Sequence, residues 1–194
     1  EADDLLAALA RAAEGRGIEA VVATMDKDAE QLLSPLVKVY RPRAGAFFSE
    51  EDLLREKGIR PGQVPDFLAL AGDAVDGIPG VPGIGPKTAA DLLRRFGDLE
   101  SVLAGAASLP EGKARAALTA HAQDARSARR LTVLDADAPV AFDLEACRIG
   151  APRTDRLLPL FLRLGFRKFI HDLGLKGEEP KDLDYAWVRT PGEI

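Results

Sequence analysis

The sequence is poor in residues that staple a chain or bind soft metals: one cysteine, Cys147, and two histidines, His121 and His171, in 194 residues. A single thiol excludes a disulfide framework and a cysteine-based zinc site, and it fits a reducing cytoplasm. Long apolar runs are also missing. None approaches the roughly 18 residues that span a membrane, and no secretory signal is visible. There is no P-loop, no GxGxxG after a strand, and no repeat with a period of roughly 20–50 residues. The histidines stand alone, so no Ser/His/Asp arrangement is legible and each reads as a helix-surface or core-edge residue. What is present is ordinary globular composition, 46% hydrophobic and 29% charged, enough for a sizeable core and more than one subdomain.

The net charge is −5, unevenly spread. Residues 1–83 carry 9 basic and 15 acidic side chains, whereas residues 84–130 carry 8 basic and 5 acidic, a net of +3. The acid excess lies in the first block, where carboxylates come in clusters that bound divalent cations would offset. Overall charge therefore does not exclude a nucleic-acid partner.

Leu5, Leu6, Leu9 and Ala13 follow helical spacing until Gly15 and Gly17, which places Glu1, Asp3 and Asp4 in a first helical turn. Plain helix capping favours acids there too. Ile18–Thr24 reads as a buried strand, and Asp26 and Asp28 follow its carboxyl end, the layout of an open α/β-sheet site. Ala29–Leu33 predicts a short helix and Leu36–Tyr40 a second strand, followed by a polar turn through Pro42 and Gly45. Ser49 caps a helix to about Lys57 whose acids read as a solvated first turn, and another helix is expected near Pro65. Glu111–Leu134 predicts one long helical segment in which Arg115, Arg126, Arg129 and Arg130 either extend a basic surface or are solvated. Val140–Phe142 reads as a short extended piece. Arg153–Leu164 predicts a helix with Leu157, Leu158, Phe161 and Leu164 as core face and a kink or early break at Pro159.

The most informative stretch is Leu68–Leu103. Asp73 and Asp76 open it, and Gly77–Pro86 then holds four glycines and three prolines, a composition for tight turns. An amphipathic helix follows from about Lys87, with Ala89, Leu92, Leu93 and Phe96 on its apolar face and Lys87, Arg94 and Arg95 off it. Gly97 ends it and Asp98 caps the next helix, to about Leu103. Short helices around a glycine hairpin with basic residues alongside form a helix–hairpin–helix pattern, whose free helix-start N–H groups suit phosphate. A structural αα-corner with solvated cations is the other reading.

Seven acids thus stand in three groups, each at the end of an element. If the ends converge, the like charges repel by several kcal/mol unless cations sit among them. Oxygen-only ligands select Mg²⁺ or Mn²⁺ over zinc, and two such ions a few ångströms apart suit in-line phosphodiester hydrolysis.

Together these residues resemble the 5′-nuclease domain of bacterial DNA polymerase I, a relative of the flap endonucleases. EADD at 1–4, TMDKD at 24–28 followed by QLL, and LALAGDAVDGIPGVPGIGPKTA at 68–89 stand in that family's order and spacing. The resemblance runs from Glu1 to about Leu175. It implies an α/β fold: a partial open sheet with flanking helices, followed by a mainly helical helix–hairpin–helix (helix–three-turn–helix) subdomain. It implies that Glu1, Asp3 and Asp4 belong mainly to the shell of the first of two divalent ions. Asp26, Asp28, Asp73 and Asp76 would bind or support the second. Gly80, Gly83, Gly85, Lys87 and Thr88 match positions that hold the duplex backbone, often with a monovalent ion such as K⁺ on turn carbonyls. One departure is Asp76-Gly77, where the family usually has Asp-Asn, so altered turn chemistry is expected there with no lost ligand.

The family also begins well before this glutamate, with a strand bearing another metal-binding aspartate. The chain therefore reads as the C-terminal half of such a domain, with poor or no activity alone. Leu183–Ile194 resembles the start of a following 3′–5′ exonuclease-like domain, which implies a polymerase remainder covalently attached. The expected organisation is a metal-binding nuclease core over 1–70, the hairpin subdomain and closing helices over 71–175, and a linker and next domain over 176–194. The expected function is metal-dependent, structure-specific 5′–3′ exonuclease and flap cleavage of DNA, at a duplex with a 5′ flap or 5′ end, in primer removal and repair. The alternative is a non-catalytic helix–hairpin–helix module that binds duplex DNA without response to Mg²⁺ or Mn²⁺. Neither involves a membrane.

Overall fold

The computed structural model describes residues 2–175. The chain opens with α1 (Ala2–Glu14), which buries Ala7, Ala8, Ala10 and Ala13 on one face. Of the expected apolar stripe, Ala13 is buried, Leu6 and Leu9 are half-buried and Leu5 is exposed, and the buried alanines face the strand that follows. That strand, β1 (Ala20–Ala23), pairs in parallel with β2 (Val37–Arg41), Ala20 lying opposite Val37 and Ala23 opposite Tyr40. Their crossover carries a 3₁₀ turn at Asp28–Leu32. A third strand, β3 (Ala46–Phe48), returns antiparallel to β2, with Val39 opposite Phe48. This gives an open mixed sheet in the order β1-β2-β3. β3 was not anticipated, since three residues after Pro42 and Gly45 are too few to display a period of two. Val22, Val37, Val39 and Phe48 are buried, while Val21 and Phe47 are largely exposed.

α2 (Glu50–Lys57) begins on a capping box. The Asp52 N–H donates to Ser49 Oγ and the Ser49 N–H to Asp52 Oδ2 at 2.9 Å, so this acid serves the helix start, as expected. α3 (Val64–Ala71) is buried from Val64 through Leu70 and packs against both α4 (Pro86–Phe96) and α7 (Ala122–Thr132). α4 buries Ala89, Ala90, Leu92 and Leu93. α5 (Leu99–Gly105) is capped by Asp98, which accepts from the Ser101 N–H at 2.7 Å. The long segment expected over Glu111–Leu134 is two helices, α6 (Lys113–Ala120) and α7, broken where His121 leaves helical geometry at φ −111°, ψ 22°. No glycine or proline announces that break.

Two buried acids tie the layers together. Glu30 accepts from Arg41 Nη2 at 2.9 Å and from Lys57. Asp66 accepts from the Leu99 N–H at 3.0 Å and from Arg129, joining α3 to the start of α5 and to α7. Arg126 forks onto Glu100 at 2.8 and 2.7 Å. Arg129 is therefore a tie to a buried acid and Arg126 a surface ion pair, so neither is an unpaired basic face. The strands and α1–α7 share one continuous core reaching from Ala10 to Ala128.

The first compact unit ends at Phe142 and a second begins at Asp143. Within the second, α8 (Thr154–Leu164) runs unbroken through Pro159, and α9 (Arg167–Asp172) follows. Leu157, Leu158 and Phe161 are half-buried and Leu164 is exposed. Phe161, Phe166 and Phe169 pack on one another with ring centroids 5.7–6.1 Å apart. Val140–Phe142 is not a strand. No helix among the described residues is long and apolar enough to cross a membrane. Leu183–Ile194 lies outside the described residues.

Candidate metal centre and nucleic-acid interface

Three elements deliver the acids. Beyond the carboxyl end of β1 the backbone is pinned: the Asp26 N–H donates to Thr24 Oγ1 at 3.0 Å, and the Asp28 N–H to Asp26 Oδ1 at 2.9 Å. α3 ends at Gly72, and Asp73 then pairs with Ile78 through two N–H···O bonds of 2.7 Å. That closes a tight loop carrying Asp76. One carboxylate oxygen from each of Asp28, Asp73 and Asp76 lies within 4.8 Å of the others. Asp73 is 4% exposed, Asp28 is half-buried and Asp76 is exposed.

The electrostatics follow from crowding. Burial and the charges of Asp26, Asp76 and Asp73 push the Asp28 carboxyl up to about 6. Partial desolvation and the neighbouring Asp73 charge push Asp76 up as well. Burial would raise Asp73, but the Lys27 ammonium and the Val75 N–H outweigh it and hold that carboxyl below its usual range. Lys27 in turn is held above its ordinary value: partial burial lowers it, and Asp73, Asp76 and Asp28 more than compensate. Asp28 Oδ1 and Asp73 Oδ2 are buried and have no hydrogen-bond donor. A proton carried by Asp76 or a bound cation would relieve Asp73 Oδ2. Orphaned, inward-facing carboxylate oxygens without histidine or thiolate form a donor set that fits a hard divalent cation.

The other expected ligands stand apart from this cluster. Asp4 Oδ1 accepts from the Asp135 N–H at 2.8 Å, and Asp3 lies half-buried in the first turn of α1. Neither has a carboxylate among the converging oxygens. Glu1 lies outside the described residues. The segment that holds Asp4 also meets the 3₁₀ turn: Gln31 Nε2 donates to the Thr132 carbonyl and Gln31 Oε1 accepts from the Leu134 N–H, each at 3.0 Å. Asp26 is exposed, and its charge acts on Asp28. Sequence reasoning missed Lys27, whose only signal was a cation set between two candidate ligands.

The hairpin is built on a backbone contact. Gly80 has φ 65°, and a Cβ there would sit 2.4 Å from the Gly72 nitrogen and 2.7 Å from the Ala71 carbonyl carbon. Only glycine allows that approach. Gly80 is therefore a buried packing position, whereas Gly83, Gly85 and Lys87 are exposed and Thr88 is half-buried. α4 starts at Pro86 with no side-chain cap, which leaves first-turn N–H groups facing outward. A groove of about 550 Å³ opens beside it, lined by Arg55, Lys57, Lys87 and Arg94 among others. Arg55, Lys57 and Arg94 are paired with Asp52, Glu30 and Asp91. Lys87 has no ion-pair partner among the described residues.

Known proteins are similar to this chain. DNA polymerase I of Rhizobium leguminosarum is 40% identical over 98% of this chain and 19% of its own length. The thermostable DNA polymerase I of Thermus thermophilus is 39% identical over 99% of this chain and 23% of its own. The chain thus spans about a fifth of the length of these curated relatives. The phage T5 D15 flap endonuclease, solved as a pseudo-enzyme-product complex with DNA and metal ions, superposes with a TM-score of 0.63 at 20% identity. That match covers 91% of this chain and 60% of the phage protein, and it shows a common fold. Residues 59–155, half of the chain, match the family described as 5′–3′ exonuclease, C-terminal SAM fold. The chain belongs to that 5′–3′ exonuclease family.

Proposed function

We propose that this chain is part of a divalent-metal-dependent 5′–3′ exonuclease and flap endonuclease acting on DNA during primer removal and repair. Asp28, Asp73 and Asp76, with Asp26 beside them, hold the cation, Mg²⁺ or Mn²⁺. The observation that carries this reading is the pair of buried, donorless oxygens, Asp28 Oδ1 and Asp73 Oδ2, within a cluster of like charges. When bound, such ions activate water and stabilise charge on a phosphodiester's reacting oxygens. The residues' own work is to orient: the Thr24–Asp26–Asp28 hydrogen bonds and the Asp73–Ile78 bridge fix where the carboxylates point. Asp3 and Asp4, with Glu1, would belong to a further ion's shell.

Gly83, Gly85, Lys87 and Thr88, on the turn supported by Gly80, hold the phosphate backbone of a duplex with a 5′ flap or 5′ end. K⁺ on the turn carbonyls belongs to the same reading. The uncapped start of α4 supports it. The setting is a longer polymerase-type chain in the cytoplasm, as the polymerase relatives suggest. The test is a Mn²⁺ titration by calorimetry of the chain and of Asp73→Asn. Binding that Asp73→Asn abolishes is expected; binding unchanged by that substitution, or none at all, leaves only a metal-independent duplex-binding module.

A further inference from the structure

The acid cluster already contains a cation. Asp73 has a side chain only 1% exposed, and a buried carboxylate needs a partner. Its Oδ1 accepts from Lys27 Nζ and from the Val75 N–H, while Oδ2 is left without a donor. The ammonium thus balances one of the three converging charges and sits where a metal would compete for the same oxygen. The Lys27 side chain is 34% exposed, so its head reaches solvent without unpacking the core. Its backbone is the fixed part. Lys27 lies between Asp26 and Asp28, whose N–H groups are both engaged by side-chain oxygens, so the ammonium stays tethered near the cluster even when it leaves Asp73.

We propose that Lys27 is a tethered counter-cation of the carboxylate cluster, which a divalent ion must displace from Asp73 in order to bind. The proposal rests on the reading of this cluster as a divalent-cation site. Lys27 and a divalent ion cannot both sit on Asp73 Oδ1, because two cations would then lie within a few ångströms of each other. The apparent metal affinity is the intrinsic affinity reduced by the fraction of molecules in which Lys27 has swung away. Lys27 thereby stabilises the metal-free fold and sets the cation concentration at which the site fills. It is a positioning residue, acting through Asp73.

Calorimetric Mn²⁺ titration of the chain and of its Lys27→Met and Lys27→Arg variants tests this. Lys27→Met should bind Mn²⁺ roughly tenfold tighter, the value expected if Lys27 leaves Asp73 in about a tenth of molecules. Lys27→Arg, which keeps a competing charge, should stay near the unsubstituted chain. In the unsubstituted chain with ¹³C-labelled lysine, the Lys27 Cε resonance should move towards that of solvated lysine as Mg²⁺ is added, with the midpoint of metal binding. This second measurement decides the matter if Lys27→Met does not fold. Metal binding in the unsubstituted chain together with an unmoved Lys27 resonance, or with equal or weaker binding by Lys27→Met, overturns the counter-cation and leaves the metal site standing. No Mn²⁺ binding by any of the proteins overturns both.

Discussion

Along the seam between the 3₁₀ turn, α2, α3 and α7, buried acids are answered by cations: Glu30 by Arg41 and Lys57, and Asp66 by Arg129 and the Leu99 N–H. Beyond β1 and after α3, Asp28, Asp73 and Asp76 face one another, and among the described residues Lys27 is their one paired cation and two oxygens are unanswered. Both regions belong to one core, built by the same short stretch of chain. The difference separates two uses of a buried carboxylate. A fully paired one locks elements together. A crowded one, such as Asp28 or Asp76, subtracts from stability and persists where charge is needed for something else.

The contrast can be broken most severely at Asp66. Asp66→Leu leaves the buried Leu99 N–H without an acceptor and unties α7, and should lower the unfolding free energy by about 2–4 kcal/mol in urea denaturation. Asp73→Asn should cost far less stability, yet weaken Mn²⁺ binding by at least about tenfold, or roughly 1.4 kcal/mol. If Asp73→Asn proves as destabilising as Asp66→Leu, the two regions are not different in kind.

Asp28 sharpens the comparison through pH. Its folded-state pKa of about 6 lies above the unfolded value, so the metal-free chain binds an extra proton between roughly pH 4 and 6. Stability from this group is complete below that window and is lost as pH rises through it. Asp28→Asn should flatten that slope in EDTA. It should also stabilise the chain at pH 7 by about 1 kcal/mol, below the full linkage value because the group is partly solvated. Glu100, paired with Arg126, is held below its usual range and works in the opposite direction, losing its contribution as pH falls. Thermal melts from pH 3 to 7 read both slopes. The smallest effect belongs to Lys87. Lys87→Ala should weaken duplex binding several-fold at every sequence alike and reduce the salt slope by about one, as measured by fluorescence anisotropy across salt.

Much of this was legible in the chain itself. Helical spacing marked α1 and α4, N-caps at Ser49 and Asp98 marked α2 and α5, and acids just past a strand marked Asp26 and Asp28. The glycine–proline run marked the turn after Asp73. The rest depended on packing. Three residues are too few for β3 to show alternation. His121 interrupts a run that carries helical propensity throughout. Arg126 and Arg129 look solvated until Glu100 and Asp66 are brought opposite them. The Lys27–Asp73 contact spans 46 positions and has no periodic signature, and the Asp135 N–H that holds Asp4 lies 131 positions away.

Gly80 lies against the backbone of Ala71 and Gly72 with no space for one more carbon, and Asp73 is the next residue in the chain. A shift of the turn at Gly80 would therefore press directly on the residues that precede that carboxylate. If the turn grips a polymer, as proposed, that grip and the aim of the acid at the far side are coupled like the two ends of a short lever. Lys87 at the exposed tip can be exchanged without a clash, but the fulcrum at Gly80 cannot.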